Sequence, residues 1–444
     1  MSPVLRSIAL MTLSLCAIPA KADDLKISGS VRLRYEAIDG QARTGFDSQD
    51  ALVNLRTQIL ADYGSGPLHV VAEIFDSRAW GADRGTPLTT GEVNTFEPVQ
   101  AYLAADLGPV LGKRTKASIM VGRMTLNLGS RRLVAADDYR NTTNGYTGIR
   151  ADLAAPGAVK ATFIYMLPQL RLPDDPASLR SHKVELDKES FDTVLWGGVA
   201  SKGGAIGPAT VELSFFHLGE RDAPGRPSRD RSLNTFGGRI FADPKAGKID
   251  YEIEGYYQTG QISVSTAATA ARQNVSASFA RAKIGYTFAA PWQPHLSLEY
   301  DRASGDKPGG SYGRFDTLYG MRRADLAPAG LYNAIGRANI STLATRIEVV
   351  PGKRLDAFAA YRAMWLASAT DAFSTTGVRD ASGASGDFAG HQIEGRLRYW
   401  LIPNRLRYEI DGLLLAKGRF LREAPNAPAG KWTRYVSMNL TAAF

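Results

Sequence analysis

The strongest constraint on the fold is a period of two that recurs along most of the chain. In 26–36 the even positions are polar, and the odd positions are Ile, Gly, Val, Leu and Tyr. The segments 250–258 and 295–301 alternate in the same way. This period predicts β-strands with one polar and one apolar face, in roughly 18 segments of about 9–16 residues. The predicted strands are 24–38, 49–63, 67–78, 95–107, 115–124, 145–153, 157–167, 192–201, 208–219, 232–243, 247–261, 275–288, 294–303, 335–349, 354–368, 386–401, 404–419 and 431–444.

Strand length and loop asymmetry separate a membrane barrel from a soluble sandwich, which also alternates. Transmembrane strands need about 9–11 residues, whereas soluble strands average about 5–6. The connections alternate between short ones, such as 64–66 and 350–353, and long ones, such as 125–144, 168–191 and 304–334. We therefore predict one all-β domain over 23–444, an 18-stranded antiparallel transmembrane β-barrel with long extracellular loops and short periplasmic turns.

The last predicted strand supports closure of the barrel. Alternate residues from Trp432 to the terminal Phe444 are mostly apolar and share one face. A terminal aromatic on the lipid face resembles the signal that barrel-assembly machinery reads, although an ordinary closing strand has the same pattern. Closure removes unpaired edges, as a sheet in lipid requires.

The amino terminus predicts export to the Gram-negative outer membrane. Arg6 supplies a positive start, 8–18 is an apolar core, and Ala20-Lys21-Ala22 is a cleavage site, so 1–22 is interpreted as a signal peptide. Cleavage removes Cys16, the one cysteine, which rules out a disulfide framework and a cysteine-based zinc site. The formal net charge is +9. Export argues against nucleic acid as the partner behind this charge.

If the apolar face contacts lipid, the polar face lines the lumen. Arginine and lysine at lumen positions outnumber acids there. These charges either pair across neighbouring strands and brace the wall, or leave unpaired arginines that favour anionic solutes. The segment with Glu394, Arg396 and Arg398, which faces Arg405, Arg407 and Glu409 across a short turn, fits bracing.

Motifs for catalysis are weak. The five histidines have no metal spacing, and none lies beside a serine in a nucleophile motif. We expect no catalytic residue, no metal and no cofactor. A hydrolase assembled from distant strands stays open as an alternative.

Two stretches resemble the alginate-export porin family. The first is GRMTLNLGSRRLV at 122–134, followed by DYRNT at 138–142 and YTGIR at 146–150; the second is SGD at 304–306 with RFDTLYG at 314–320. The resemblance implies an 18-stranded monomeric barrel whose electropositive pore passes an anionic polysaccharide outward. It also implies that Arg123 and Arg150 reach the constriction. Thr147 stands where an acid is usual, and Tyr139 stands where tryptophan is common.

The expected function is an outer-membrane channel for an anionic polysaccharide or oligosaccharide such as alginate. A general or small-solute porin is the alternative. Further expected partners are outer-membrane lipid, lipopolysaccharide and periplasmic export components, and we expect a monomer. Arg322 and Arg323 lie in the predicted loop 304–334, which is either a surface that faces solvent or lipopolysaccharide, or a lid that folds over or into the pore and contacts an anionic ligand. The predicted pore-lining, substrate-binding residues are Arg123, Arg150, Arg32, Arg34, Arg56, Arg362, Arg396, Arg398 and Arg407.

Overall fold

The computed structural model describes residues 25–110, 112–321 and 325–444. The predicted signal peptide and the predicted lid residues Arg322 and Arg323 lie outside these ranges. The described part of the chain forms an 18-stranded sheet. Its strands are β1 (Leu25–Asp39), β2 (Gln49–Ser65), β3 (Leu68–Trp80), β4 (Asn94–Gly108), β5 (Lys116–Met124), β6 (Tyr146–Ala155), β7 (Val159–Pro168), β8 (Thr193–Ile206), β9 (Ala209–Glu220), β10 (Ser232–Ala242), β11 (Ile249–Ser263), β12 (Arg272–Thr287), β13 (His295–Ala303), β14 (Ile340–Gly352), β15 (Leu355–Trp365), β16 (Phe388–Ile402), β17 (Leu406–Lys417) and β18 (Trp432–Ala443).

The sheet is closed. Each strand pairs antiparallel with the next, and β18 pairs with β1 from Ser30 opposite Ala443 to Asp39 opposite Arg434. Closure satisfies the backbone hydrogen bonds of the first and last strands without an exposed edge. The predicted 18-stranded antiparallel barrel is confirmed.

The two faces of each strand follow the sequence alternation. On the outside, Leu33 is 42% exposed and Leu298 is 55% exposed, while on the inside Arg34 and Asp301 are each 1% exposed. The apolar residues of β18 face outward as predicted, with Leu440 at 41% exposure. Two helices of five residues, α1 (Pro176–Arg180) and α2 (Arg419–Glu423), lie in loops. Among the described residues, no helix is long and apolar enough to cross a membrane.

Short and long connections separate to opposite ends of the barrel. Two-residue turns join β2 to β3, β8 to β9, and β14 to β15, at what we call the short-turn end. At the opposite, long-loop end, the connections include 125–145, 169–192, 304–339 and 366–387.

The predicted start of β14 at residue 335 is wrong, because 335–339 belongs to the preceding loop. Ile335 is fully buried inside the barrel, so its apolar character reflects loop packing and not a lipid-facing strand. Asn339 is the last residue of this loop, and its side chain donates to the carbonyl oxygens of Ser368 and Asp371 at 3.0 and 3.2 Å. Strand periodicity does not distinguish an apolar residue that packs inside a loop from one that faces lipid.

Loops 125–145 and 304–339 fold into the barrel and pack on each other. The Tyr319 N–H donates to the Leu133 carbonyl at 2.9 Å, and the Ala135 N–H donates to the Tyr319 carbonyl at 3.1 Å. Leu331 from the second loop is 1% exposed, and its N–H donates to the wall carboxylate Glu36 at 3.1 Å. The inner space of the barrel is therefore divided by two loops that contact its wall.

Candidate functional site

Six inward-facing arginines surround a cavity of about 250 Å³ between the short-turn end and loop 125–145. Strand alternation places each pair two residues apart on the same face. Asp138, Tyr139 and Met321 border the cavity on its loop side. The arginines are Arg32 and Arg34 of β1, Arg346 of β14, Arg396 and Arg398 of β16, and Arg407 of β17.

Arg32 is buried without a carboxylate contact among the described residues. Its guanidinium donates to the carbonyl oxygens of Asp138 and Arg140 at 3.2 and 2.7 Å, and to Oδ1 of Asn141 at 3.4 Å. Arg56 of β2 donates to the same two carbonyl groups, at 3.2 and 3.1 Å. These two cations therefore hold loop 125–145 through neutral oxygens, which leaves their charge without an ion-pair partner there.

Arg34 is fixed on several sides. It donates to Oδ1 of Asn439 at 2.5 Å and to the Tyr139 carbonyl at 2.7 Å, and it pairs with Glu36 at 3.3 Å. Its guanidinium lies 4.0 Å from the centre of the Tyr139 ring, a cation–π contact. The loop is thus clamped at Tyr139, whose hydroxyl also lies 2.8 Å from the Tyr435 hydroxyl.

On the same side of the barrel, three to four strands from β1, one carboxylate accepts from two arginines. Asp356 of β15 accepts from Nε of Arg398 at 2.9 Å and from Nη2 of Arg396 at 3.0 Å. The Phe358 ring lies between two guanidinium groups, 3.6 Å from that of Arg346 and 5.0 Å from that of Arg396. Packing of this kind orients the guanidinium forks.

The charge pairing expected across β16 and β17 is present in part. Arg398 lies opposite Glu409, a member of the expected facing set, whereas Arg396 lies opposite Asp411 and Arg407 lies opposite Trp400. The irregularity between Trp400 and Ile402 sets this register. Arg407 is 3.9 Å from Glu409.

The cavity lining is electropositive. Two acidic residues, Asp138 and Glu409, line it together with the six arginines. Glu36, Glu348 and Asp356, which pair with the arginines, lie outside the lining. Because six guanidinium groups and two carboxylates line the cavity, an anion in it meets an excess of positive charge.

Arg123 lies away from this cavity in a dense set of acceptors. It pairs with Glu97 at 2.5 Å and Glu189 at 2.8 Å, and it donates to the Asp187 carbonyl at 3.3 Å. The Glu97 side chain is fully buried. Burial raises the pKa of Asp187, in loop 169–192, to about 6. This arrangement holds the loop to β4 and β5.

Two further predicted residues are also paired. Arg150 donates to both oxygens of Asp152, at 2.7 and 3.0 Å. Arg362 donates to Oγ1 of Thr342 at 2.6 Å and to the Asp325 carbonyl at 2.5 Å. Of the nine arginines predicted as pore lining, the cavity brings together Arg32, Arg34, Arg396, Arg398 and Arg407.

The predicted set of pore-lining residues omits two inward-facing arginines, Arg346 and Arg132. Arg346 lines the cavity, and its position on the polar, inward face of β14 could have identified it from the sequence. Arg132 in loop 125–145 pairs with Glu252 at 2.8 Å, with Asp325 at 2.7 Å, and also with Glu254. Burial alone would raise the pKa of Asp325, but its arginine neighbours hold that pKa well below its usual value. No local pattern signals this pairing, because it joins two loops and the wall.

Comparison with known proteins decides the family. The sequence profile named for alginate export matches residues 23–433. The chain belongs to the alginate export family. This membership, which the sequence motifs predicted, and the closed barrel make the protein a channel of the Gram-negative outer membrane.

Solved structures with the same fold are outer-membrane porins. Acinetobacter baumannii OccAB3 has a TM-score of 0.60 at 11% identity, over 95% of this chain and 100% of that one. Pseudomonas aeruginosa OccK8 (OprE) has a TM-score of 0.59 at 12% identity, over 95% and 98%. Pseudomonas aeruginosa OccK2 (OpdF), solved in complex with glucuronate, has a TM-score of 0.57 at 11% identity, over 95% and 96%. The comparison with curated proteins gives no match.

Proposed function

We propose that this channel of the alginate export family passes an acidic polysaccharide or oligosaccharide, such as alginate, and that the arginine cavity binds its carboxylates in transit. The observation that carries the proposal is the cluster of six arginines around one cavity, with Arg32 lacking a carboxylate contact among the described residues. A guanidinium fork matches a carboxylate and stays charged at every physiological pH. The substrate crosses without a catalytic step.

Binding in the cavity must be weak enough for release. Asp356 competes for the forks of Arg396 and Arg398, and Glu348 competes for that of Arg346, at 2.6 Å. A sugar carboxylate therefore exchanges with a wall carboxylate instead of entering an empty site. Successive acidic units pass from one arginine to the next, and the net interaction at each step stays small.

One related structure supports an acidic sugar as the substrate class. The solved OccK2 complex holds glucuronate, a sugar carboxylate, in a barrel of the same fold. Arg322 and Arg323 follow Met321, which borders the arginine cavity. These two arginines lie outside the described residues, and we retain them as a proposed lid of the pore. Periplasmic export components and lipopolysaccharide remain proposed partners, and the monomer remains the proposed oligomeric state.

The test compares an oligouronate with a neutral oligosaccharide of equal length in planar bilayers. We expect reversal potentials in a salt gradient to show anion preference, and the oligouronate to block current where the neutral sugar does not. The variant Arg396→Gln/Arg398→Gln should weaken the block about tenfold, since two forks are lost. Equal block by the two sugars, or cation preference, would refute the proposal.

A porin for small acidic solutes is the second candidate, and the size of the cavity favours it. About 250 Å³ lies below the usual range of ~300–1,000 Å³ for pockets that enclose a drug-sized ligand. Liposomes loaded with polymer or with monomer separate the two candidates. Release of both supports the polysaccharide channel, whereas release of the monomer alone supports the small-solute porin.

A further inference from the structure

A second, larger cavity lies at the long-loop end of the barrel. Its volume is about 830 Å³, and loops 169–192, 221–231 and 304–339 all contribute to its lining. Thr317 lines this cavity, and Met321, four residues later in the same loop, borders the arginine cavity. The two cavities are therefore adjacent to the same inward-folded loop segment.

Most arginines around the larger cavity have a carboxylate partner. The exception among the described residues is Arg229. Its Nε donates to the Ser263 carbonyl at 2.8 Å, and its Nη1 donates to the Tyr312 hydroxyl at 3.3 Å. The ion pairs of the other arginines are Arg221 with Asp192 at 2.9 Å, Arg226 with Asp174 at 3.0 Å, Arg231 with Glu220 at 2.7 Å and Arg314 with Asp371 at 2.7 Å.

Arg229 is held in place before any ligand arrives. The Ser263 N–H donates to the Arg229 carbonyl at 2.7 Å, so backbone and side chain both attach to the end of β11. The guanidinium lies 4.8 Å from the centre of the Tyr312 ring. The Tyr312 N–H donates to the Asn274 carbonyl at 2.8 Å, which ties this loop residue to β12. A cation fixed in this way loses little conformational entropy on binding.

The side chains around Arg229 and Tyr312 suit a sugar that carries a carboxylate. Nη2 of Arg229 donates to no acceptor among the described residues, so an incoming oxyanion can accept from it. The Tyr312 hydroxyl accepts from Arg229 and keeps its own proton for a ligand oxygen. Ser190, Ser228 and Thr317 add hydroxyl groups to the lining. An aromatic ring, hydroxyls and one unpaired cation together suit a saccharide acid better than a bare inorganic anion.

We propose that Arg229 and Tyr312 form a separate subsite at the long-loop mouth for an acidic sugar unit, which docks there before or after it passes the arginine cavity. This inference rests on the proposed function, since it takes the transported polymer as the ligand. It adds a second binding station, with its own residues, on the opposite side of loop 304–339.

Addition of an oligouronate to one side at a time tests this subsite in oriented single channels. With sugar on the long-loop side, Arg229→Gln should raise the half-blocking concentration about tenfold, and Tyr312→Leu should raise it about threefold. Block from the short-turn side should stay unchanged. Arg229→Lys, which keeps the charge and loses the fork, should fall between Arg229→Gln and the unchanged protein.

The matched control is Arg419→Gln. Arg419 lies at the same end of the barrel, in α2, and pairs with Glu423 at 2.8 Å outside this cavity. A rise for Arg229→Gln without a rise for Arg419→Gln supports the subsite. Equal effects of the two variants would mean a general surface potential and would overturn it.

Further outcomes separate this inference from the proposed function. Block by inorganic phosphate at the same concentration as the oligouronate would replace the sugar subsite with a simple anion site. Block from the short-turn side alone would overturn the mouth subsite and leave the proposed function intact. Absence of block from either side, with no anion preference, would refute the proposed function itself.

Discussion

Two groups of inward-facing arginines, on separate parts of the barrel wall, differ in what they contact. Arg123 is surrounded by acceptors that include Glu97 and Glu189. Arg396 and Arg398 share Asp356, and Arg32 contacts neutral oxygens. The first arrangement consumes the charge in holding a loop, and the second leaves it facing a cavity. An inward arginine is therefore a binding candidate according to the acids around it, and its strand phase alone does not decide.

The largest expected effect is a loss of stability when the ion pairs of Arg123 are removed. Arg123→Gln leaves the fully buried Glu97 without its ion pair, and removing one partner of such a pair costs about 3–5 kcal/mol. Urea unfolding in detergent micelles should show this loss in the free energy of unfolding. The double variant Arg123→Gln/Glu97→Gln should recover part of it. A shift in reversal potential as large as that of the cavity variants would instead support a direct role for Arg123 in anion selectivity, as the family resemblance implied.

The next effect concerns the second group. Arg32→Gln removes a cation that lacks a carboxylate contact among the described residues, so no wall acid is left unpaired by the change. We expect block by an oligouronate to weaken about tenfold, or ~1.4 kcal/mol. Dose–response curves from the short-turn side give the measurement. Unchanged block would assign Arg32 a role in holding loop 125–145 alone.

A smaller change should act in the opposite direction. Asp356→Asn removes the carboxylate that Arg396 and Arg398 share, and it frees their forks for the substrate. We expect anion preference to increase and the oligouronate to bind about threefold more tightly, by the electrostatics that govern pore selectivity. Reversal potentials and the half-blocking concentration report the change. Weaker binding would mean that Asp356 is needed to orient the two forks.

The smallest effect belongs to Arg150. Its side chain is 25% exposed and pairs with Asp152, which is 26% exposed. Partly exposed pairs contribute about 0–1 kcal/mol, so Arg150→Gln should change stability by a few tenths of a kcal/mol. Its reversal potential should match that of the unchanged protein. A clear loss of anion preference would place Arg150 in the substrate path, as the family resemblance implied.

The barrel was predictable from the chain because its rule is local. A strand in a membrane barrel alternates between lipid and lumen, so the polarity of each residue reports its face directly. This rule placed Leu298 outside and Asp301 inside. It failed at Ile335, where an apolar residue is buried by an inward loop and not by lipid. Local polarity indicates burial, but it does not indicate what does the burying.

The sequence by itself determined the strands, their inward arginines and the family motifs, because each depends on residues close together in the chain. The tertiary structure decided which arginines are neutralised. Asp356 reaches Arg398 across 42 positions, and Asp325 reaches Arg132 across 193. Ion pairing depends on distances of a few ångströms, which strand register and loop packing set. The division of arginines between bracing and binding therefore appears only when the barrel is closed and its loops are folded inside.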